Sequence, residues 1–173
     1  GTVAVKILIV DDSKVDVAII QNILADYELS FAYDGAEALE VLARDPGIDI
    51  MLLDLNMPRK DGFEVLNVVR QTPAYRQITT LILTVYGEIE NEIRGLELGA
   101  VDYIRKPLNL ASLRKRIEIH VRLRNATREL AENNAKLEQT VMRRTRELVL
   151  TRDITIKALI GLLEVRNIES SNH

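Results

Sequence analysis

The chain alternates five short apolar runs with segments whose apolar residues recur every three or four positions. Runs of this length between polar residues are typical of buried strands, and the longer spacing is typical of helices. The predicted strands are residues 3–10, 29–33, 48–53, 79–84 and 101–104, and the predicted helices start near residues 13, 36, 63, 88 and 110. This alternation predicts a doubly wound α/β fold, in which helices cover both faces of a five-stranded parallel sheet.

The most informative polar residues lie at the ends of predicted strands. Asp11 and Asp12 follow the first strand, Asp54 follows the third, Thr84 ends the fourth and Lys106 lies just beyond the fifth. In the flavodoxin-like strand order 2-1-3-4-5, the first and third strands are neighbours at the switch point where open α/β sheets bind ligands. We therefore expect the three carboxylates to share one site. Two further pairs, Asp34-Gly35 and Asp61-Gly62, are interpreted as turn or loop residues.

Three carboxylates in one site repel one another unless a cation is present. Mg²⁺ suits such a site, because it takes one or two carboxylates together with water and phosphate oxygens. Lys106 and the Thr84 hydroxyl would complete a phosphate-binding site. The chemistry indicated is attack of an Asp54 oxygen on phosphorus to give an acyl phosphate. The alternative is a structural Mg²⁺ or Ca²⁺ site without phosphoryl transfer.

Composition narrows the classes of partner. The chain has 173 residues, of which 47% are hydrophobic, enough for one domain and an appendage. Basic residues number 23 and acidic residues 26, which gives a net charge of −3. We therefore do not expect the chain to bind nucleic acid. No apolar run reaches the ~18–20 residues of a membrane span, so no membrane partner is expected. The absence of cysteine excludes disulfides and fits a cytoplasmic location.

Over residues 5–123 the chain resembles the bacterial response-regulator receiver domain. The motifs that carry the resemblance are Asp11-Asp12, Asp54, Met57-Pro58, Asp61-Gly62, Thr84 and Gly99-Ala100-Val101-Asp102-Tyr103-Ile104-Arg105-Lys106-Pro107. The resemblance implies that Asp54 accepts a phosphoryl group from a histidine kinase in an Mg²⁺-dependent reaction. It also implies that Asp12 binds the metal directly, that Asp11 binds it through water and Asn56 through its backbone carbonyl, and that Asp54 belongs to the same metal site.

The same resemblance implies how the phosphoryl group is held and detected. Lys106 would contact the phosphoryl group, and Thr84 and Tyr103 would form a switch pair. The Lys106-Pro107 peptide would be cis, a form almost confined to proline. Val85 departs from the family pattern, which usually has Ala or Gly after the Thr, and this leaves the rates of phosphorylation and dephosphorylation open.

The predicted fifth helix continues without proline far beyond the receiver pattern. Leucine recurs every seven residues, at Leu123, Leu130 and Leu137. If these are d positions of a coiled coil, His120 and Asn134 fall at a, where Asn can fix register and oligomeric state. A helix this long needs a packing partner, so we predict a parallel homodimer through this helix. The alternative is a single amphipathic helix that folds back on the receiver.

The last residues are apolar around most of the predicted helix and resemble the opening of an HD-GYP domain. That family hydrolyses cyclic di-GMP at a metal centre. The resembling run is Ala158-Leu159-Ile160-Gly161-Leu162-Leu163-Glu164-Val165-Arg166-Asn167-Ile168-Glu169-Ser170-Ser171-Asn172-His173. Asn167, Ser170 and Ser171 depart from the family pattern, and an unrelated signalling helix is the alternative.

The sequence thus predicts three segments. They are a receiver over residues 3–122, a coiled-coil linker over 123–152, and the start of an output domain over 153–173. The expected output is a cyclic di-GMP phosphodiesterase, and this chain by itself is not expected to hydrolyse the nucleotide. The alternative outputs are a diguanylate cyclase, a DNA-binding module or a protein-interaction module.

Overall fold

The computed structural model describes residues 4–57 and 60–172. Val3, Pro58 and His173 belong to the predicted first strand, the receiver motif and the predicted output domain, and they lie outside the described residues. The chain forms two compact units, Gly1–Arg124 and Asn125–His173.

The first unit is built on a five-stranded sheet. Its strands are β1 (Lys6–Val10), β2 (Glu28–Ala32), β3 (Ile50–Asp54), β4 (Thr79–Val85) and β5 (Asp102–Lys106). Neighbouring strands are all parallel, and their order is β2-β1-β3-β4-β5. This confirms the predicted flavodoxin-like fold. The chain reverses its direction of travel across the sheet between β1 and β3, so the switch point lies at the carboxyl ends of these strands.

Helices connect the strands as predicted. They are α1 (Lys14–Ile23), α2 (Gly35–Arg44), α3 (Gly62–Gln71), α4 (Ile89–Glu97) and α5 (Leu110–Ser171), with a 3₁₀ turn at Pro73–Tyr75. Ser13 caps α1 as expected, because its side chain accepts a hydrogen bond from the Asp16 N–H. The length of α5, 62 residues, confirms the long C-terminal helix.

The two Asp-Gly pairs interpreted as turn or loop residues instead start helices. The Asp61 side chain accepts a hydrogen bond from the N–H three residues further on and caps α3. Gly62 follows as the first helical residue, where a Cβ atom would lie 2.5 Å from the Asp54 carbonyl oxygen. The Asp34-Gly35 pair caps and begins α2 in the same way. Glycine is needed at Gly62 because the helix packs closely against the end of β3.

The central strands are buried on both faces, as their continuous apolar runs predict. On one face, α2 and α3 pack against alternate strand residues; this layer includes Leu8, Val10, Met51, Leu53, Leu42, Val65 and Leu66. On the other face, α1 and the first turns of α5 complete the core; this layer includes Ile7, Ile9, Ile50, Leu52, Ile20, Leu113 and Ile117. The two layers hold the carboxyl ends of β1 and β3 in fixed positions.

The second unit is helical and is occupied by α5 as far as Ser171. None of the residues from 125 to 172 is buried, and Leu130 and Leu137 are both 62% exposed. Helices in proteins gain most of their stability from packing an apolar face, so these leucines offer a surface for a partner. Within the described ranges, no helix combines the length and hydropathy that crossing a bilayer requires.

Candidate functional site

Three aspartates meet at the switch point of the sheet. Val10 pairs with Leu53 in the β1–β3 register, which places the following residues, Asp11 and Asp54, side by side. Carboxylate oxygens of Asp11, Asp12 and Asp54 all lie within 4.8 Å of one another. Asp11 is fully buried and Asp54 nearly so, whereas Asp12 is exposed. The cluster therefore combines the oxygen atoms of two buried carboxylates with those of one exposed carboxylate.

Lys106 reaches this cluster from the end of β5. Its Nζ atom lies 2.7 Å from Asp11 Oδ2 and 3.3 Å from Asp54 Oδ2. The Lys106-Pro107 peptide is cis, as the receiver resemblance implies. Burial lowers the pKa of the ammonium, but the close contact with Asp11 and the charge of Asp54 outweigh it, so the net pKa is raised. The lysine is therefore a fixed positive charge at the site.

A carboxylate that was not predicted from the sequence also contacts Lys106, in addition to those of Asp11 and Asp54. Asp16 Oδ2 on α1 lies 3.0 Å from Lys106 Nζ. The helical spacing rule did not point to it, because Asp12 precedes the helix that carries Asp16. Asp16 adds negative charge beside the lysine.

The electrostatics of the cluster favour a bound cation. Burial, followed by the neighbouring charge of Asp11, raises the pKa of Asp54 to about 7, although the Asn56 N–H hydrogen bond opposes this rise. Asp11 Oδ2 is buried without a hydrogen-bond partner, because its close approach to Lys106 has poor hydrogen-bond geometry. Crowded carboxylate oxygens, one of them buried without a well-aligned hydrogen-bond donor, match the ligand preference of Mg²⁺. The residues present therefore fit the metal that the sequence predicts.

Asn56 links the end of β3 to the start of α4. Its backbone N–H donates to Asp54 Oδ1 at 3.0 Å, which orients that carboxylate. Its side chain Nδ2 donates to Glu88 Oε2 at 3.3 Å. Val85, the residue that departs from the receiver pattern, ends β4 with 44% of its surface exposed. A branched side chain thus stands on the surface next to Thr84.

Thr84 is buried at the end of β4 and contacts a charged pair. Its Oγ1 atom donates to Glu92 Oε1 at 3.3 Å, and Arg105 Nε donates to the same oxygen at 2.8 Å. The hydrogen bond from Arg105 lowers the pKa of Glu92, so this carboxylate is ionised. Neither Glu92 nor Arg105 was among the predicted site residues.

Tyr103 lies further from the carboxyl edge of the sheet than Thr84. Tyr103 pairs with Ile82, whereas Thr84 pairs with Arg105. Side chains two residues apart on a strand share a face, so Tyr103 and Arg105 lie on the same side of β5. The Arg105 guanidinium lies 5.3 Å from the centre of the half-buried Tyr103 ring. The sheet therefore brings the two predicted switch residues to neighbouring positions.

His120 differs from its heptad assignment. The repeat placed it at an a position of a coiled-coil seam, but its Nε2 atom lies 3.1 Å from Asp102 Oδ2 in the first unit. Its side chain is only 13% exposed. The assignment of His120 to the seam is wrong, because the start of α5 packs on the sheet.

Residues 7–118 match the family described as the response regulator receiver domain. The chain belongs to that family. Receiver domains bind Mg²⁺ through acidic residues and are phosphorylated by histidine kinases. The aspartate cluster at the carboxyl ends of β1 and β3 is the feature of this receiver that corresponds to such chemistry.

Two relatives of known name have different kinds of output function. The chain is 40% identical over 168 residues to a probable cyclic di-GMP phosphodiesterase of Vibrio cholerae, covering 96% of this chain and 38% of that protein. It is 38% identical over 131 residues to the transcriptional regulatory protein CpxR of Escherichia coli, covering 75% of this chain and 54% of CpxR. The receiver chain thus spans about half or less of the length of these relatives.

A solved structure resembles the receiver closely. It is the signal receiver domain of an HD domain-containing protein from Pseudomonas fluorescens, with 26% identity and a TM-score of 0.67. The match covers 75% of this chain and 96% of that one.

Proposed function

We propose that Asp54 is the phosphoacceptor of this receiver. The observation that carries the proposal is the meeting of Asp11, Asp12 and Asp54 with Lys106 in one partly buried pocket. A structural cation site of the usual oxygen-ligand kind has no use for a lysine among its ligands. Phosphoryl transfer does use one, because negative charge builds up on the phosphoryl oxygens.

In this proposal Mg²⁺ is held by Asp12 and Asp54 directly, by Asp11 through water and by the backbone carbonyl of Asn56. When bound, the metal neutralises charge on the phosphoryl oxygens. Asp11 Oδ2, which is buried beside Lys106 without a well-aligned hydrogen-bond donor, supports this assignment. The exposure of Asp12 keeps the pocket open to the phosphoryl donor.

The transfer itself is a displacement at phosphorus. An Asp54 carboxylate oxygen forms a bond to the phosphorus of a histidine kinase's phosphohistidine, and the phosphorus–nitrogen bond breaks. The histidine nitrogen keeps the electron pair, and Asp54 becomes an acyl phosphate. Lys106 and the Thr84 hydroxyl then bind phosphoryl oxygens, and Thr84 and Tyr103 form the switch pair.

We further propose that the receiver controls a cyclic di-GMP phosphodiesterase through a dimeric helix. The proposed segments are the receiver over residues 3–122, the linker over 123–152 and the start of the output domain over 153–173. The match to the Vibrio cholerae phosphodiesterase supports this, because its 168 aligned residues extend into the helix beyond the receiver. The receiver of an HD domain-containing protein gives further support.

A transcriptional output is the second candidate. The resemblance to CpxR favours it, but that alignment covers only 131 residues and therefore less of α5. The gene sequence beyond His173 separates the two proposals. Catalytic motifs of an HD-GYP domain there would support the phosphodiesterase, and a basic helix-turn-helix module would contradict it.

Intact mass spectrometry tests the phosphoacceptor. Incubation with acetyl phosphate and Mg²⁺ should add one phosphoryl group to the chain, and a chelator should prevent the addition. Asp54→Asn should abolish it, whereas the matched control Asp26→Asn, which alters an exposed aspartate paired with Arg114, should not. Equal phosphorylation of Asp54→Asn and the natural chain would contradict the assignment.

A further inference from the structure

Glu92 is a buried carboxylate that stands between the predicted switch residue and an arginine. It is 4% exposed, although its α4 neighbours on either side are partly or fully exposed. Arg105 holds it with two hydrogen bonds, from Nε to Oε1 at 2.8 Å and from Nη2 to Oε2 at 3.2 Å. A buried charge needs such a partner, and Arg105 supplies it.

The third hydrogen bond to Glu92 comes from Thr84. The Thr84 hydroxyl donates to Glu92 Oε1, the oxygen that also accepts from Arg105 Nε. A hydroxyl group has a single proton to donate. If Thr84 donates that proton to a phosphoryl oxygen on Asp54, it must give up its hydrogen bond to Glu92. The two acceptors therefore exclude each other.

We propose that Glu92 is a positioning residue, which competes with the phosphoryl group on Asp54 for the hydroxyl proton of Thr84. The inference rests on the proposed function, in which Thr84 binds that group. Arg105 moderates the competition, because its guanidinium also donates to Glu92 Oε1 and so weakens the hydrogen bond between that oxygen and Thr84. The α4 carboxylate thus favours the unphosphorylated arrangement, and the β5 arginine limits how strongly it does so.

Two substitutions on the same ion pair should have opposite effects. Glu92→Gln keeps the shape but removes the charge, so Thr84 is released more easily. Arg105→Gln leaves the carboxylate charged without its main partner, so Glu92 holds Thr84 more strongly. A purely structural role would give both changes the same sign, because both break the same ion pair.

Beryllofluoride, which mimics an aspartyl phosphate, provides the measurement. Its dissociation constant is determined by titration calorimetry on the whole chain with Mg²⁺, for the natural chain and each variant. Glu92→Gln replaces a hydrogen bond to a charged group by a weaker one to a neutral group, and this difference predicts roughly threefold to tenfold tighter binding of beryllofluoride. Arg105→Gln should bind it more weakly. In a Thr84→Val background, Glu92→Gln should no longer change the dissociation constant.

The outcomes separate the inference from the proposed function. A natural chain that neither binds beryllofluoride nor phosphorylates at Asp54 contradicts the proposed function and this inference with it. If Asp54 is phosphorylated normally but both variants change beryllofluoride binding in the same direction, only the role of Glu92 is overturned. The same holds if Glu92→Gln still changes binding in the Thr84→Val background. If Glu92→Gln does not fold, Arg105→Gln decides, because its side chain is 44% exposed. Unchanged or tighter binding by that variant then overturns the inference.

Discussion

Arg124 on α5 and Asp49, just before β3, form an ion pair that is largely withdrawn from water. Arg124 Nη2 lies 3.1 Å from Asp49 Oδ1, and the two side chains are 14% and 10% exposed. Arg124 also donates to the Gln77 carbonyl oxygen, and Asp49 accepts a hydrogen bond from the Lys6 N–H at 3.0 Å. The ion pair joins Arg124, the last residue of the first unit, to the amino-terminal end of β3.

Arg124→Gln should therefore destabilise the receiver strongly. The substitution leaves the Asp49 carboxylate in a poorly solvated position without its cation, and losing one partner of a buried pair costs about 3 kcal/mol or more of unfolding free energy. Urea unfolding followed by tyrosine fluorescence measures this, since all five tyrosines lie in the first unit. The control is Arg122→Gln on the exposed side of the same helix. Equal losses for the two variants would show that the pair has no special role.

Lys106→Met should make the receiver more dependent on Mg²⁺. Without the ammonium, the carboxylates of Asp11, Asp16 and Asp54 lose their shared counter-ion. Like charges then repel, so the metal-free variant should unfold at a lower temperature than the natural chain. Added Mg²⁺ binds the folded state and should raise the melting temperature more for the variant. The melting curves are recorded with Mg²⁺ and with chelator, and an equal rise for both proteins would contradict the prediction.

Asp102 should contribute to acid sensitivity. Burial raises its pKa, but hydrogen bonds from His120, the Tyr103 N–H and Arg116 outweigh it and place the folded pKa below the ordinary 3.8. A depressed pKa contributes stability that is fully present above 3.8 and is lost as pH falls through the folded value. Asp102→Asn should thus have a lower urea midpoint than the natural chain at neutral pH. The difference between the two urea midpoints should become smaller as the pH falls.

The same titration on Asp153→Asn serves as a control for Asp102, because Asp153 lies in the second unit with its side chain 53% exposed. That variant should follow the natural chain at every pH. A constant difference between Asp102→Asn and the natural chain across the acid range would exclude the proposed linkage.

Dimerisation through α5 should depend on the leucine repeat and not on the apolar tail. A chain truncated after Arg152 should remain a dimer in light scattering at tens of micromolar, which corresponds to a binding free energy of roughly 6–7 kcal/mol. Leu130→Asp with Leu137→Asp in that truncated chain should give a monomer, because unpaired charges in an apolar seam are strongly unfavourable. A truncated natural sequence that is already monomeric would refute the predicted coiled coil.

The sequence alone was sufficient for the fold and for the three aspartates of the candidate site. Strand and helix periods alternate clearly, and a parallel sheet of this kind places the carboxyl ends of β1 and β3 together whatever the side chains around them. Asp11, Asp12 and Asp54 could be grouped because each follows a recognisable strand. The length of α5 followed from an unbroken helical pattern.

Only the tertiary structure revealed the contacts between elements that are distant in sequence. Asp16 meets Lys106 and Glu92 meets Thr84 and Arg105 because α1 and α4 pack at particular depths and rotations on the sheet. A sequence period gives the face on which a helical side chain lies but not its distance from a neighbouring strand. His120 shows the same limit: its spacing fits a heptad, but packing of the first turns of α5 directs it to Asp102. Periodicity determines local structure, and packing decides which charged groups meet.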